Sequence, residues 1–240
     1  MIICPVCNTT NHHLEIICRQ CGGYIQTKIE NIDLFQKLWQ LIENPVKAFK
    51  HIAIAKHKNY IIFLTSLFGM SFLFLLFEYI NIGRIINRGV LIALAGMGGG
   101  IVFGFFFLVI LTWITLGFSK LFKSPPTKFW NLFSVIAYST VPIIYIFIFL
   151  LPIKLLTFGI ILYTSNPSPV LVNASVSYIS WFLEALMFAW FIFLFNTASR
   201  VVFEFNFFKA ITMTLALLLS LVVGIVIVIN YISSSIISSH

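Results

Sequence analysis

Four cysteines, Cys4, Cys7, Cys18 and Cys21, fall within the first 21 residues, and the rest of the 240-residue chain has none. They read Cys4-Pro5-Val6-Cys7 and, ten residues on, Cys18-Arg19-Gln20-Cys21-Gly22-Gly23. Two residues between thiolates let one turn aim both sulfurs at one ion, and glycines after a knuckle permit the positive φ of a tight turn. Two facing knuckles complete a tetrahedron, so the pattern predicts a zinc ribbon. Two disulfides are disfavoured in a reducing cytosol, and a redox Cys-x-x-Cys wants a βαβ pattern that neither knuckle has. A closed Cys₄ shell leaves no open coordination position, which makes this zinc structural. His12 and His13, between the knuckles, are expected to be solvated loop residues.

A second residue with chemical potential is Glu184, the one charged side chain well inside an apolar run. A carboxylate at that depth costs on the order of 2.5 to 3.5 kcal/mol on insertion scales. It calls for a proton or a partner, and Ser177 and Ser180 lie seven and four residues earlier on the same helical face. The expectation is a neutral carboxyl bonded to this polar stripe and a neighbouring helix, with proton or ligand handling as the sharper alternative. Glu78, at a span end, reads as interfacial. Gly69-Met70-Ser71 superficially offers a serine nucleophile, but every histidine lies outside the apolar runs. There is no His-Glu-x-x-His pair and no phosphate-binding glycine loop, so catalysis is not expected.

The elements that carry these residues belong in a bilayer. The chain is 60% hydrophobic and only 9% charged, with a mean hydropathy of +1.03, far from a soluble domain. Its net charge of +8 speaks to membrane orientation and anionic lipid rather than to nucleic acid. Uncharged runs long enough to span occur at Tyr60 to Phe77, Gly89 to Phe118, Asn131 to Leu151, Val176 to Phe195 and Ala210 to Ile232. The fold class is therefore an all-α integral membrane protein, a five-helix transmembrane bundle with a small N-terminal zinc ribbon. Residues 1–26 form the ribbon, 27–59 amphipathic interfacial helices, 60–232 the membrane domain and 233–240 a short polar tail.

Lys and Arg alternate across these spans. The segment before the first span, the loop with Lys120, Lys123 and Lys128, and the loop with Arg200 and Lys209 together hold 12, whereas Arg84, Arg88 and Lys154 fall on the other side. The asymmetry places the N-terminus in the cytoplasm and the C-terminus outside it. Asn44-Pro45 should end one amphipathic helix and start another. In the first, Ile32, Phe35, Leu38, Trp39 and Ile42 form the apolar face, with Lys37 on the polar one. The second is expected on the inner leaflet, its Lys47, Lys50, Lys56 and Lys58 contributing about 1 kcal/mol each near anionic lipid. Gly96, Gly100 and Gly104, spaced by four, make a face where another helix backbone can approach closely.

Asn44-Pro45-x-x-x-Phe49 before the first span and Ala137-Tyr138-Ser139-Thr140-Val141-Pro142 within the third carry a likeness. Over roughly residues 32 to 232 the chain resembles the YIP family, the Ypt/Rab-GTPase-interacting five-span membrane proteins. The basic loop Lys120 to Lys128 running into Phe129-Trp130 fits the family's middle, and Tyr138 with Pro142 matches its aromatic-to-proline spacing. Ala137 stands where a glycine is common. A zinc ribbon stands in place of the long acidic N-terminal region of eukaryotic trafficking members, which is similar to a prokaryotic member of the cell membrane. The resemblance implies this topology more than an activity, and the leading expectation for function is a non-enzymatic scaffold, whose cytosolic ribbon and basic helices recruit a protein partner or organise lipid. A small-solute or proton-linked transporter using Glu184 is the rival reading, and a homo-oligomer is compatible with either.

Overall fold

The computed structural model describes residues 2–26, 31–86 and 88–219. The ribbon contributes two short strands, β1 (Ile2–Ile3) and β2 (Thr10–Asn11), paired antiparallel with Ile2 opposite Asn11. A single bridge between Ile17 and Tyr24 closes the second knuckle. Two short helices follow, α1 (Leu34–Glu43) and α2 (Pro45–Ile54). Asp33 caps α1 by accepting from the Gln36 N–H at 2.9 Å, and Asn44 caps α2 by accepting from the Lys47 N–H at 3.0 Å. These two side chains satisfy amides that the helices leave without an internal partner, and Pro45 in the first turn has no amide to satisfy.

Among the described residues four stretches are long and apolar enough to cross a membrane: α3 (Ile61–Tyr79), α4 (Gly89–Leu121), a broken helix over Phe129–Tyr163 that holds α5 to α7, and, after the one-turn α8 (Pro169–Val172), α9 (Ala174–Phe203). A shorter apolar helix, α10 (Phe207–Leu219), opens the fifth expected span, of which residues 220–232, like the tail 233–240, lie outside the described residues.

The third span departs most from expectation. It does not stop at Leu151 but continues to Tyr163 through α5 (Phe129–Ser139), α6 (Val141–Tyr145), a π turn at Ile146–Leu150, α7 (Leu151–Phe158) and a 3₁₀ turn at Gly159–Tyr163. The two prolines account for the breaks. Pro142 and Pro152 each lack the amide that would bond a carbonyl one turn back. Near the first break, the Ser139 and Thr140 hydroxyls donate to the Ile136 and Ala137 carbonyls at 2.7 Å each. Before the second, the wide π turn adds a residue and resets the helix phase by about 100°. Lys154, which the charge pattern reads as a loop residue, thus falls inside a span and is only 2% exposed.

The core gathers Phe49 and Ile52 of α2, Leu108 of α4, Phe133 and Tyr138 of α5, and Leu194 and Val202 of α9. Helix α2 packs its apolar face into this core. Its Ala48, Phe49 and Ile52 are wholly buried, because a helix this apolar loses more water-exposed area inside the bundle than at an interface. Lys47 and Lys56 remain exposed and Lys50 half-buried. Lys58 turns inward instead, its amine donating to the Ile52 and Ala53 carbonyls at 2.6 Å, where it caps α2. Burial pushes its pKa down to about 8. Helix α1 also divides differently. Leu41 and Lys37 face in, with the Lys37 amine 2.8 Å from the Gln40 side-chain oxygen and 3.1 Å from His51 Nδ1, while Phe35, Trp39 and Ile42 face out. Burial, then the neighbouring Lys47 charge, lowers the Lys37 pKa.

Helices α3 and α4 meet at glycine. A Cβ on Gly104 would sit 2.3 Å from the Thr65 carbonyl oxygen and 2.7 Å from Gly69 Cα, and one on Gly100 would sit 2.6 Å from Met70 Cα. Gly96 receives the Phe74 ring, whose nearest atom would be 2.6 Å from an added Cβ. Gly98 faces open space. Gly104→Ala should therefore force two backbones apart and destabilise by about 1 to 3 kcal/mol, whereas Gly98→Ala should gain up to about 1 kcal/mol from helix propensity. Thermal melts of the two variants in detergent check this, and equal shifts would contradict the packing.

Candidate functional site

The four cysteine sulfurs converge on one point. Cys4 Sγ lies 3.6 Å from Cys21 Sγ and Cys7 Sγ 3.5 Å from Cys18 Sγ, and all four fall within 4.8 Å of one another. A tetrahedron of 2.3 Å zinc–sulfur bonds has edges of about 3.8 Å, so the donors fit that ion, and the spacing is far longer than a disulfide. Polar groups surround the sulfurs as well: the Val6 amide points at Cys4 Sγ (3.4 Å), Asn11 Nδ2 at Cys18 Sγ (3.6 Å), and Thr9 Oγ1 lies 3.3 Å from Cys7 Sγ. Backbone amides of Cys21 and Gln20 pull the Cys18 thiol down to about 6. Against the pull of the Gly23 amide, the crowded Cys7, Cys4 and Cys18 thiols hold Cys21 up to about 12. Four clustered thiols resist joint ionisation until a cation compensates them.

His12 and His13 are not solvated. Their side chains are 11% and 21% exposed and both face Glu204, at the end of α9. His13 Nδ1 lies 2.5 Å from Glu204 Oε1, and His12 Nε2 lies 3.6 Å from the same oxygen. Glu204 adopts left-handed backbone, φ 55°. Burial raises its pKa, but the hydrogen bonds and charge of His13 outweigh this and leave it lowered. The ribbon is thereby latched to a residue 191 positions away. Between it and the bundle lies a cleft of about 810 Å³, walled by Leu14 to Arg19, Ala53 to Lys56 and Pro126 to Lys128. Ribbon, α2, the 122–128 segment and Glu204 thus share one end of the molecule. The opposite end is marked by Arg84 Nε donating to Ser165 Oγ at 2.6 Å.

Within the bundle the structure brings together three ionisable groups that the sequence keeps far apart. The Lys154 amine donates to Glu78 Oε1 at 2.6 Å and Oε2 at 2.5 Å, and to Glu184 Oε1 at 2.6 Å. Glu184 therefore bonds a lysine of a neighbouring helix rather than the serine stripe. Ser177 is occupied with the Asn173 carbonyl at 2.9 Å, and the carboxylate takes the ammonium because an ion pair gains most where the dielectric is low. Glu78, one residue before the end of α3, is only 16% exposed and is a member of this cluster. Lys154 ties α7 to α3 and α9. An isolated carboxylate in an apolar run was the available signal, since it demands a partner and Lys154 is the one cation in the adjoining apolar stretch.

Ser71 is not poised for nucleophilic attack, since its hydroxyl donates to the Ile143 carbonyl at 2.5 Å. Tyr138, wholly buried, donates from its hydroxyl to the Asn59 carbonyl at 3.3 Å. It fixes α5 against the start of α3, and Pro142 lies buried one turn on in α6.

No curated protein and no solved structure shows a significant match to the chain. A model of the Yip1 domain does match, over residues 39–229. That span holds α2, the long apolar helices and the Lys154 cluster, and it leaves the cysteine-bearing ribbon outside. The chain is an integral membrane protein and belongs to the Yip1-domain family.

Proposed function

We propose that this protein is a non-enzymatic membrane scaffold of the Yip1 type, whose zinc ribbon presents a docking surface for a protein partner at the cytoplasmic face. The observation that carries the reading is the way the ribbon is held. His13 and Glu204 pin one side of it to the bundle, while Ile3 and Val6, each more than 60% exposed, lie outside the cleft between ribbon and bundle. Exposed apolar side chains on a rigid, metal-closed module suit an interface. Cytoplasmic placement follows from the Lys and Arg asymmetry, which becomes sharper once Lys154 is removed from the loops and only Arg84 and Arg88 remain opposite. Phe35, Trp39 and Ile42 on the outer face of α1 lie where interfacial lipid would cover them, beside the exposed Lys47 and Lys56.

Mild-detergent purification with reversible crosslinking tests this. A partner captured by the wild type should be lost in an Ile3→Asp, Val6→Asp variant whose thiolate-bound metal is unchanged. Identical capture by both would contradict the docking role. A proton-linked transporter is the second reading, favoured by the two carboxyl groups that share the Lys154 amine inside the bundle. It requires a pH-driven flux in proteoliposomes that Glu184→Gln abolishes, and the scaffold reading expects none.

A further inference from the structure

A groove of about 510 Å³ opens among α4, the π turn, α7, the 3₁₀ turn at Gly159–Tyr163 and Phe74 of α3, far from the ribbon and next to the Lys154 cluster, whose own small cavity shares Phe74, Phe147 and Leu151 with it. That volume is in the range of small-ligand sites. The groove belongs to the spanning segments, and its wall is almost wholly apolar, with Ile92, Met97, Phe147 and Leu155 among its residues. Gly89, Ala93 and Gly159 keep it open, and a Cβ on Gly159 would meet nothing within 4 Å. One polar atom breaks the pattern. Tyr163 is 3% exposed, and its buried hydroxyl has no hydrogen-bond partner among the described residues. A buried donor is ordinarily paired, and a pure hydrocarbon could not pair it. At the lining residue Gly89 the chain also presents a cation, because exposed Arg88 immediately precedes it at the start of α4.

We propose that this groove holds an acyl chain of a glycerophospholipid. The hydrocarbon tail covers the apolar wall, the ester carbonyl accepts from the Tyr163 hydroxyl, and Arg88 meets the phosphate. Each of the three features answers one part of that molecule. An alkyl chain alone would leave the hydroxyl and the guanidinium unmatched, and a water-soluble phosphate would leave the apolar wall bare. The proposal is independent of the scaffold reading, since a transporter of the same fold would hold the lipid equally.

Native mass spectrometry of the full chain, extensively washed in mild detergent, tests it. The wild type should retain one phospholipid per chain. Ala93→Phe, which fills the groove, should abolish retention, and Tyr163→Phe, which removes a single oxygen, should weaken it about five-fold, the worth of one hydrogen bond. Arg88→Gln should lower retention of phospholipid without changing the melt. Trp113→Leu, at an exposed position elsewhere on α4, controls for loosely associated lipid and should change nothing. Wild-type protein carrying only detergent, or retention equal in wild type, Ala93→Phe and Tyr163→Phe, would overturn the assignment. Should Ala93→Phe fail to fold, Tyr163→Phe decides alone.

Discussion

Replacing Cys18 with serine should abolish thiolate-bound metal and unfold the ribbon, while the membrane bundle keeps its thermal transition. The reason is the scarcity of anything else to hold residues 2–26 together. Two strands of two residues and one isolated bridge make up the regular structure, and Cys4, Cys18, Asn11 and Leu14 are its only fully buried residues. A unit this small cannot offset its conformational entropy by burial alone. Structural zinc in such modules binds with an apparent free energy of roughly 10 to 16 kcal/mol, which is folding free energy. Cobalt substitution makes the loss visible, because four thiolates give an intense sulfur-to-metal charge-transfer band. The wild type should show it, and the variant should lose it and become sensitive to proteolysis before α1. A variant that keeps the band at full intensity would contradict a four-cysteine site. With the ribbon unfolded, the His13 to Glu204 contact should also be lost.

The second large effect is expected at Lys154. Lys154→Met leaves Glu78 and Glu184 facing each other without their shared cation, and breaking a buried ion pair from one side costs about 3 to 5 kcal/mol. For a chain of this size that corresponds to a melting point lowered by roughly 6 to 20 °C. The converse changes should be milder, because removing either carboxylate leaves one matched pair. Glu184→Gln keeps the two-oxygen contact of Glu78 with Lys154 and should cost about 1 kcal/mol or less, near the mean for intramembrane hydrogen bonds. Glu78→Gln should cost more, since it removes both of those contacts. Neutralising all three residues should recover much of the Lys154→Met loss, the behaviour of a coupled network. Detergent melts of the four variants measure the order. Equal losses from Lys154→Met and Glu184→Gln would contradict a shared ammonium.

The chain's membrane character, its helical class and the positions of its first, second and fourth spans were legible without coordinates, and for one reason. Apolar run length is a local quantity, and a bilayer of fixed thickness reads it directly. The clustering of the four cysteines was legible for a similar reason, since Cys-x-x-Cys spacing is the geometry of a single turn. Asn44-Pro45 marked the α1 to α2 junction because both a cap and a missing amide act within four residues. What the tertiary structure decided was every choice between partners. Lys154 lay beyond the end of an apolar run and counted as a loop charge, and only the π turn ahead of Pro152 and the packing of α3, α7 and α9 made it the partner of Glu78 and Glu184. His12 and His13 read as solvated because their carboxylate is 191 residues away. Lys37, Lys58 and α2 read as surface because periodicity sorts a helix into faces but does not say which face meets a neighbour, which meets lipid and which meets water. In a protein with two apolar environments, its own core and the bilayer, hydrophobicity identifies what leaves water, and only packing says where it goes.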